Sequence, residues 1–115
     1  MHELSIAQAL VEQVADIVRA NRSRRAIAVR VRLGTFSGVV REALETAFPF
    51  AAEGSPAEGA RLEIEEIPAR VTCRQCGGTS QPDFPLLACA HCGANDVELV
   101  AGRELVLAAV ELEGE

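Results

Sequence analysis

At 115 residues the chain is long enough for one modest core, or a core with a small metal-stabilised appendage, but not for two independent full-size domains. Its net charge of −6 sets 17 acidic residues against 11 basic ones, all arginine, a balance that disfavours a polyanion-binding role. No apolar run approaches the roughly 18 residues of a membrane span, and the N-terminus lacks the charged-then-apolar order of a signal peptide, so a cytoplasmic protein without a membrane contact is expected.

From the N-terminus, Leu4, Ala7, Leu10, Val11, Val14, Ile17 and Val18 recur at spacings of three and four, with Glu12, Gln13, Asp16 and Arg19 between them. This pattern predicts an amphipathic helix over residues 4–20, with Ser5 and Gln8 at capping-box spacing unless the helix starts a residue or two earlier. The period then switches to two: Ile27, Val29, Val31 and Leu33 alternate with Ala28, Arg30 and Arg32, a half-buried strand. GTFSG at 34–38 reads as a turn, with Ser37 capping a second helix that carries Val40, Ala43, Leu44, Ala47 and Phe48. Pro49 would meet the carbonyl of Glu45, so a kink or an end is expected near Phe48. RLEIEEI at 61–67 and the stretch from Glu104 to Glu113 supply two further strands, the last one burying some of Val106, Ala108, Val110 and Leu112.

These elements predict an α+β fold, two helices on one face of a three-stranded sheet, with arginines of the first strand opposite glutamates on the open face. Pro68 and Gly102 bracket a cysteine-bearing segment. The expected organisation is therefore residues 1–69 with 103–115 as one domain and residues 70–102 as an inserted zinc-ribbon-like subdomain. Strand order is not readable from the pattern.

The insert holds all four cysteines, as CRQCGG from Cys73 and CAHCGA from Cys89. Each CxxC places two sulfurs on one tight turn, and the glycine after each second cysteine, Gly77 and Gly93, lets the backbone fold under them. In a reducing compartment such pairs favour metal over disulfide. Cys73, Cys76, Cys89 and Cys92 would complete a tetrahedron with no open position, a structural site for zinc(II), although the same knuckles would hold iron. The segment lacks the apolar mass to fold alone, and zinc binding would supply roughly 10 kcal/mol or more. His91 inside the second knuckle reads as a solvated residue or a donor to a thiolate before it reads as a ligand.

His2 raises a separate possibility. Its imidazole Nδ1, its own amide nitrogen and the terminal amine of Met1 can close adjacent chelate rings, and nitrogen-rich near-planar coordination suits nickel(II) or copper(II).

MHELSIAQAL, then VRLGTFSGVVREAL, then ARLEIEEIP leading into CRQCG and CAHCG resembles, in order and over the whole chain, the HypA/HybF family of hydrogenase nickel-incorporation proteins. The resemblance implies a nickel metallochaperone and no enzyme. It implies a nickel(II) site at Met1, His2 and Glu3, and zinc at Cys73, Cys76, Cys89 and Cys92. The implied partners are a maturation GTPase of the HypB kind and the large subunit of nickel-iron hydrogenase, with a homodimer left open. The pattern departs from the family at Arg41, where proline is frequent, and at Pro49. Glu3 has two functional readings, as a backbone nitrogen to nickel or as a carboxylate shaping the site and its partner contact, beside that of an acid favoured at a helix N-terminus.

Two other classes compete. A zinc-ribbon module binding protein or nucleic acid would use Arg70, Arg74 and Arg103, but Asp83, Asp96 and Glu98 offset them and Phe84 is the only aromatic in the segment. The cluster Arg19, Arg22, Arg24, Arg25, Arg30 and Arg32 is accounted for by a helix end and a solvent-facing strand. A zinc hydrolase would need an open coordination position beside a base, and the sequence has no HExxH and two histidines.

Overall fold

The computed structural model describes residues 2–83 and 85–114, with the backbone alone of His2. The chain order is α1 His2–Ala20, β1 Ala26–Gly34, α2 Arg41–Ala52, β2 Arg61–Ile67, β3 Arg70–Cys73, β4 Thr79–Ser80, β5 Val97–Ala101 and β6 Leu105–Leu112. Two three-stranded sheets result, ordered β2-β1-β6 and β4-β3-β5. The chain divides into two compact units, the first of Met1–Arg32, Val39–Glu65 and Val106–Glu115, the second of Leu33–Gly38 and Glu66–Leu105. Among the described residues no helix is long and apolar enough to cross a membrane.

In the first unit, α1 buries Ala7, Leu10, Val11, Val14, Ala15 and Val18, one continuous stripe at helical spacing. The helix begins at His2, earlier than residue 4. Ser5 therefore lies inside the first turns and is not the cap that its spacing to Gln8 suggested, because nothing in residues 2–4 interrupts the helix. At the other end Arg19 bonds Asp16 at 2.8 Å, Ser23 N–H reaches the Val18 carbonyl at 3.1 Å, and Arg22 takes φ 55°. A non-glycine residue thus closes the helix in the left-handed region.

α2 packs against α1 and buries Leu44, Phe48 and Ala52, spaced four apart. Its N-cap is Val40, not Ser37, and Val40 supplies no side-chain cap. The helix also runs past Pro49 to Ala52. Proline forfeits one hydrogen bond there, and the burial of Phe48 and Ala52 on either side of it offsets that loss.

β1 lies between β2 and β6. Its inward residues Val29 and Val31 are buried as the alternation predicts, but so are Ala26 and Ala28. Ala28 sits in a depression walled by Arg30, Glu63 and Glu111, longer side chains that cover a small one on the central strand. Arg30 pairs with Glu63 at 3.3 Å and Arg32 with Glu65 at 3.4 Å, the cross-strand pairing expected of this face. Hydrogen bonds from Arg61 and Arg30 hold the Glu63 carboxyl below its usual value. In β6 the phase differs from the expectation: Val106 and Ala108 are exposed while Leu105 and Leu107 are half-buried, and the pattern shifts at Ala108 and Ala109 before Val110 and Leu112. The run LVLAAV carries no polar residue that could mark the inward face.

In the second unit β3 is flanked antiparallel by β4, with Val71 opposite Ser80, and by β5, with Cys73 opposite Val97. Residues 33–38 belong with this sheet. Gly34 N–H reaches the Glu104 carbonyl at 2.7 Å, Thr35 N–H that of Ile67 at 3.1 Å and Phe36 N–H that of Gly102 at 2.6 Å. A Cβ on Gly34 would lie 2.1 Å from the Gly102 oxygen, so only glycine permits this approach.

Candidate metal centre

β3 delivers Cys73 at its C-terminal end, and the chain turns at once. Gly77 N–H bonds the Cys73 carbonyl at 3.0 Å, and Cys73 N–H bonds the Gly78 carbonyl at 2.9 Å. The second knuckle repeats the first: Gly93 N–H bonds the Cys89 carbonyl at 2.9 Å and Cys89 N–H the Ala94 carbonyl at 2.8 Å. Gly77 and Gly93 take φ 74° and 78°, the left-handed turn that the two CxxCG motifs predicted.

Each knuckle aims main-chain N–H groups at its first sulfur. Gln75 and Cys76 donate to Cys73 Sγ, both at 3.4 Å, and His91 and Cys92 donate to Cys89 Sγ, both at 3.4 Å. Cys73 and Cys89 are buried, and Cys76 and Cys92 are exposed. The four sulfurs lie within 4.8 Å of one another, with Cys73 to Cys92 and Cys76 to Cys89 at 3.6 Å. Sulfurs about 2.3 Å from a tetrahedral ion stand about 3.8 Å apart, so the cluster has the dimensions of a four-thiolate metal site.

The electrostatics divide the sulfurs in two. The Cys92 amide, joined by that of His91, draws the Cys89 thiol down to about 6, and the Cys76 amide with that of Gln75 lowers Cys73. At Cys92 the Ala94 amide acts downward, but hydrogen bonding with Cys73, burial, and the remaining sulfurs push the thiol up to about 11. At Cys76 the Gly78 amide is likewise outweighed by Cys89, burial and Cys73, for a net rise. Negative charge therefore gathers first on the buried pair, and a bound cation would displace the protons of the exposed pair. The His91 imidazole is not one of the clustered ligand groups: its Nε2 lies 3.4 Å from the Thr79 carbonyl oxygen, and its Cδ2 would be 3.2 Å from a Cβ on Gly78, a point that is also 3.5 Å from Cys76 Sγ.

Of the N-terminal candidates, Met1 and the side chain of His2 lie outside the described residues, as does Phe84. Glu3 is in the first turn of α1, and its Oε2 accepts the N–H of Val40, the N-cap of α2, at 3.3 Å. This bond spans 37 positions, and no local sequence pattern announces it.

The comparisons with known proteins agree with this architecture. Residues 1–112 match the family described as hydrogenase/urease nickel incorporation, metallochaperone, HypA. The hydrogenase maturation factor HypA of Nitrosospira multiformis is 44% identical over 112 residues, covering 97% of each chain. That of a Roseiflexus species is 46% identical over 114 residues, covering 98% of this chain and 93% of the relative. Among solved structures, one of a HypA protein in solution superposes with a TM-score of 0.74 at 24% identity, covering 100% of this chain and 98% of the other. The nickel metallochaperone HypA from Helicobacter pylori, also in solution, gives 0.71 at 23% identity, with 98% of each chain covered. At these identities the likeness is one of fold, and the sequence match carries the assignment: this chain belongs to the HypA family of hydrogenase and urease nickel-incorporation metallochaperones.

Proposed function

We propose that this chain carries nickel(II) as cargo on its N-terminus and delivers it to the large subunit of nickel-iron hydrogenase, in the cytoplasm and together with a partner GTPase of the HypB kind. The family is one of maturation factors, so the chain is a carrier and not an enzyme. The observation that carries the reading is the family match from the first residue through 112, which takes in the Met1-His2-Glu3 end. The Met1 amine, the His2 amide and imidazole and the Glu3 amide are the proposed ligands. Two features support nitrogen ligation. Amides in the first turn of a helix have no intrahelical partner, so binding through residues 2 and 3 breaks no helical bond. The Glu3 carboxylate is engaged with Val40, which favours its main-chain nitrogen as the ligand.

The second metal is proposed to be zinc(II) on Cys73, Cys76, Cys89 and Cys92, where it would cross-link the two knuckles. On this reading residues 1–69 and 103–115 serve nickel and residues 70–102 serve zinc. Nickel calorimetry of the untagged protein, His2→Ala and an N-terminally extended form tests the cargo site. Nickel affinity should collapse in both altered forms with zinc content unchanged; equal affinity in all three would overturn the site. Because the chain has no lysine, an amine-reactive reagent gives a second readout: nickel should protect the Met1 amine from acylation.

A further inference from the structure

Each knuckle gathers its own two sulfurs through its own turn, but neither turn fixes one knuckle against the other. The second knuckle is weakly supported by regular structure, since β4 before it has 2 residues and β5 resumes only at Val97. Besides the longer contact of His91 Nε2 with the Thr79 carbonyl, two shorter side-chain ties bridge the gap. Ser80 is 8% exposed, the one residue among the described buried set that is polar, and its Oγ accepts the N–H of Ala90, the residue after Cys89, at 3.1 Å. Arg74, inside the first knuckle, donates from Nη1 to Asp96 Oδ1 at 2.9 Å and to the Val97 carbonyl at 3.3 Å. Its main-chain N–H bonds the Asp96 carbonyl at 3.0 Å. One tie thus holds the entry of the second knuckle and the other its exit.

We propose that Ser80 and Arg74 are positioning residues for the four-thiolate site, holding the second knuckle in register with the first so that more of the metal-free chains already have four sulfurs gathered. The proposal rests on the zinc reading above. Neither residue touches the metal; each acts on the fraction of chains competent to capture it, and capture slows in proportion as that fraction falls.

The test uses the full-length, zinc-stripped chain and cobalt(II) as a spectroscopic substitute, with capture followed by stopped-flow absorption in the thiolate charge-transfer and ligand-field bands. Ser80→Ala should slow capture about fivefold, the equivalent of one ordinary hydrogen bond, and Arg74→Ala, whose pair with Asp96 is exposed, about threefold, while the saturated spectrum stays that of four thiolates. Ser80→Thr, which keeps the acceptor, should restore the rate. Capture rates within twofold of wild type in both alanine variants would overturn the proposal while leaving the zinc reading intact. A wild-type chain without four-thiolate cobalt bands would overturn both.

Discussion

The two compact units are held together by different interiors. The first buries hydrocarbon: six residues of α1, Val29 and Val31 of β1, and Leu44, Phe48 and Ala52 of α2. The second buries Leu33, Ala69, Val71 and Ser80, and beside them Cys73 and Cys89, so its interior consists in good part of sulfur. Hydrophobic burial stabilises the first in proportion to the area removed from water. In the second, two thiols stand where a larger core would have aliphatic side chains, and on the zinc reading proposed above a shared cation would take the place of their packing.

The most forceful way to break this contrast is Cys89→Ser. Loss of one thiolate should release zinc and remove a contribution of about 10 kcal/mol or more from the second unit. Amide exchange should accelerate across 66–105 and stay slow in α1 and α2; uniform acceleration would show that the interiors are not independent. Phe48→Ala acts in the opposite sense. It should cost about 3–5 kcal/mol by opening a cavity beneath α2, lowering the thermal midpoint of the first unit while metal analysis still finds full zinc occupancy.

Acid should separate the units more gently. Without metal the Cys89 thiol is drawn down to about 6 and that of Cys73 is lowered too, so the stability these thiolates contribute is present above about 9 and is lost as pH falls through the lowered values, where protons would also compete with a bound cation. Glu63 is lowered from 4.5, so its smaller contribution persists above 4.5 and is lost as pH falls through the lowered value. A descending titration followed by residue-resolved NMR should therefore loosen the second unit first. Simultaneous transitions would contradict the division.

Legibility in the sequence followed the same line. The first unit announced itself where apolar spacing was unambiguous, as in α1, and where charge marked the open face, as with Arg30 and Glu63. It misled where tertiary packing overrides local rules. Pro49 argued for a kink or an end near Phe48, of which the end is postponed to Ala52, Ser5 offered a cap inside a helix, and the unbroken apolar run in β6 hid which residues face inward. The gathering of the four sulfurs was legible because CxxCG specifies a turn, its glycine conformation and a pair of thiols within five positions. The ties that link Ser80 to Ala90 and Glu3 to Val40 were not, because each joins residues whose proximity exists only after folding.

The discontinuity of both units in the chain also bears on synthesis. β1 emerges early, yet one of its two neighbours is β6, at residues 105–112. Until that segment is made, β1 offers an unpaired edge, a template for another nascent chain. The turn at 33–38 likewise awaits Gly102 and Glu104 for its main-chain bonds, a closure across most of the sequence that favours late completion. A ribosome stalled just short of β6 would therefore leave the first unit unfinished, with β1 paired to β2 alone.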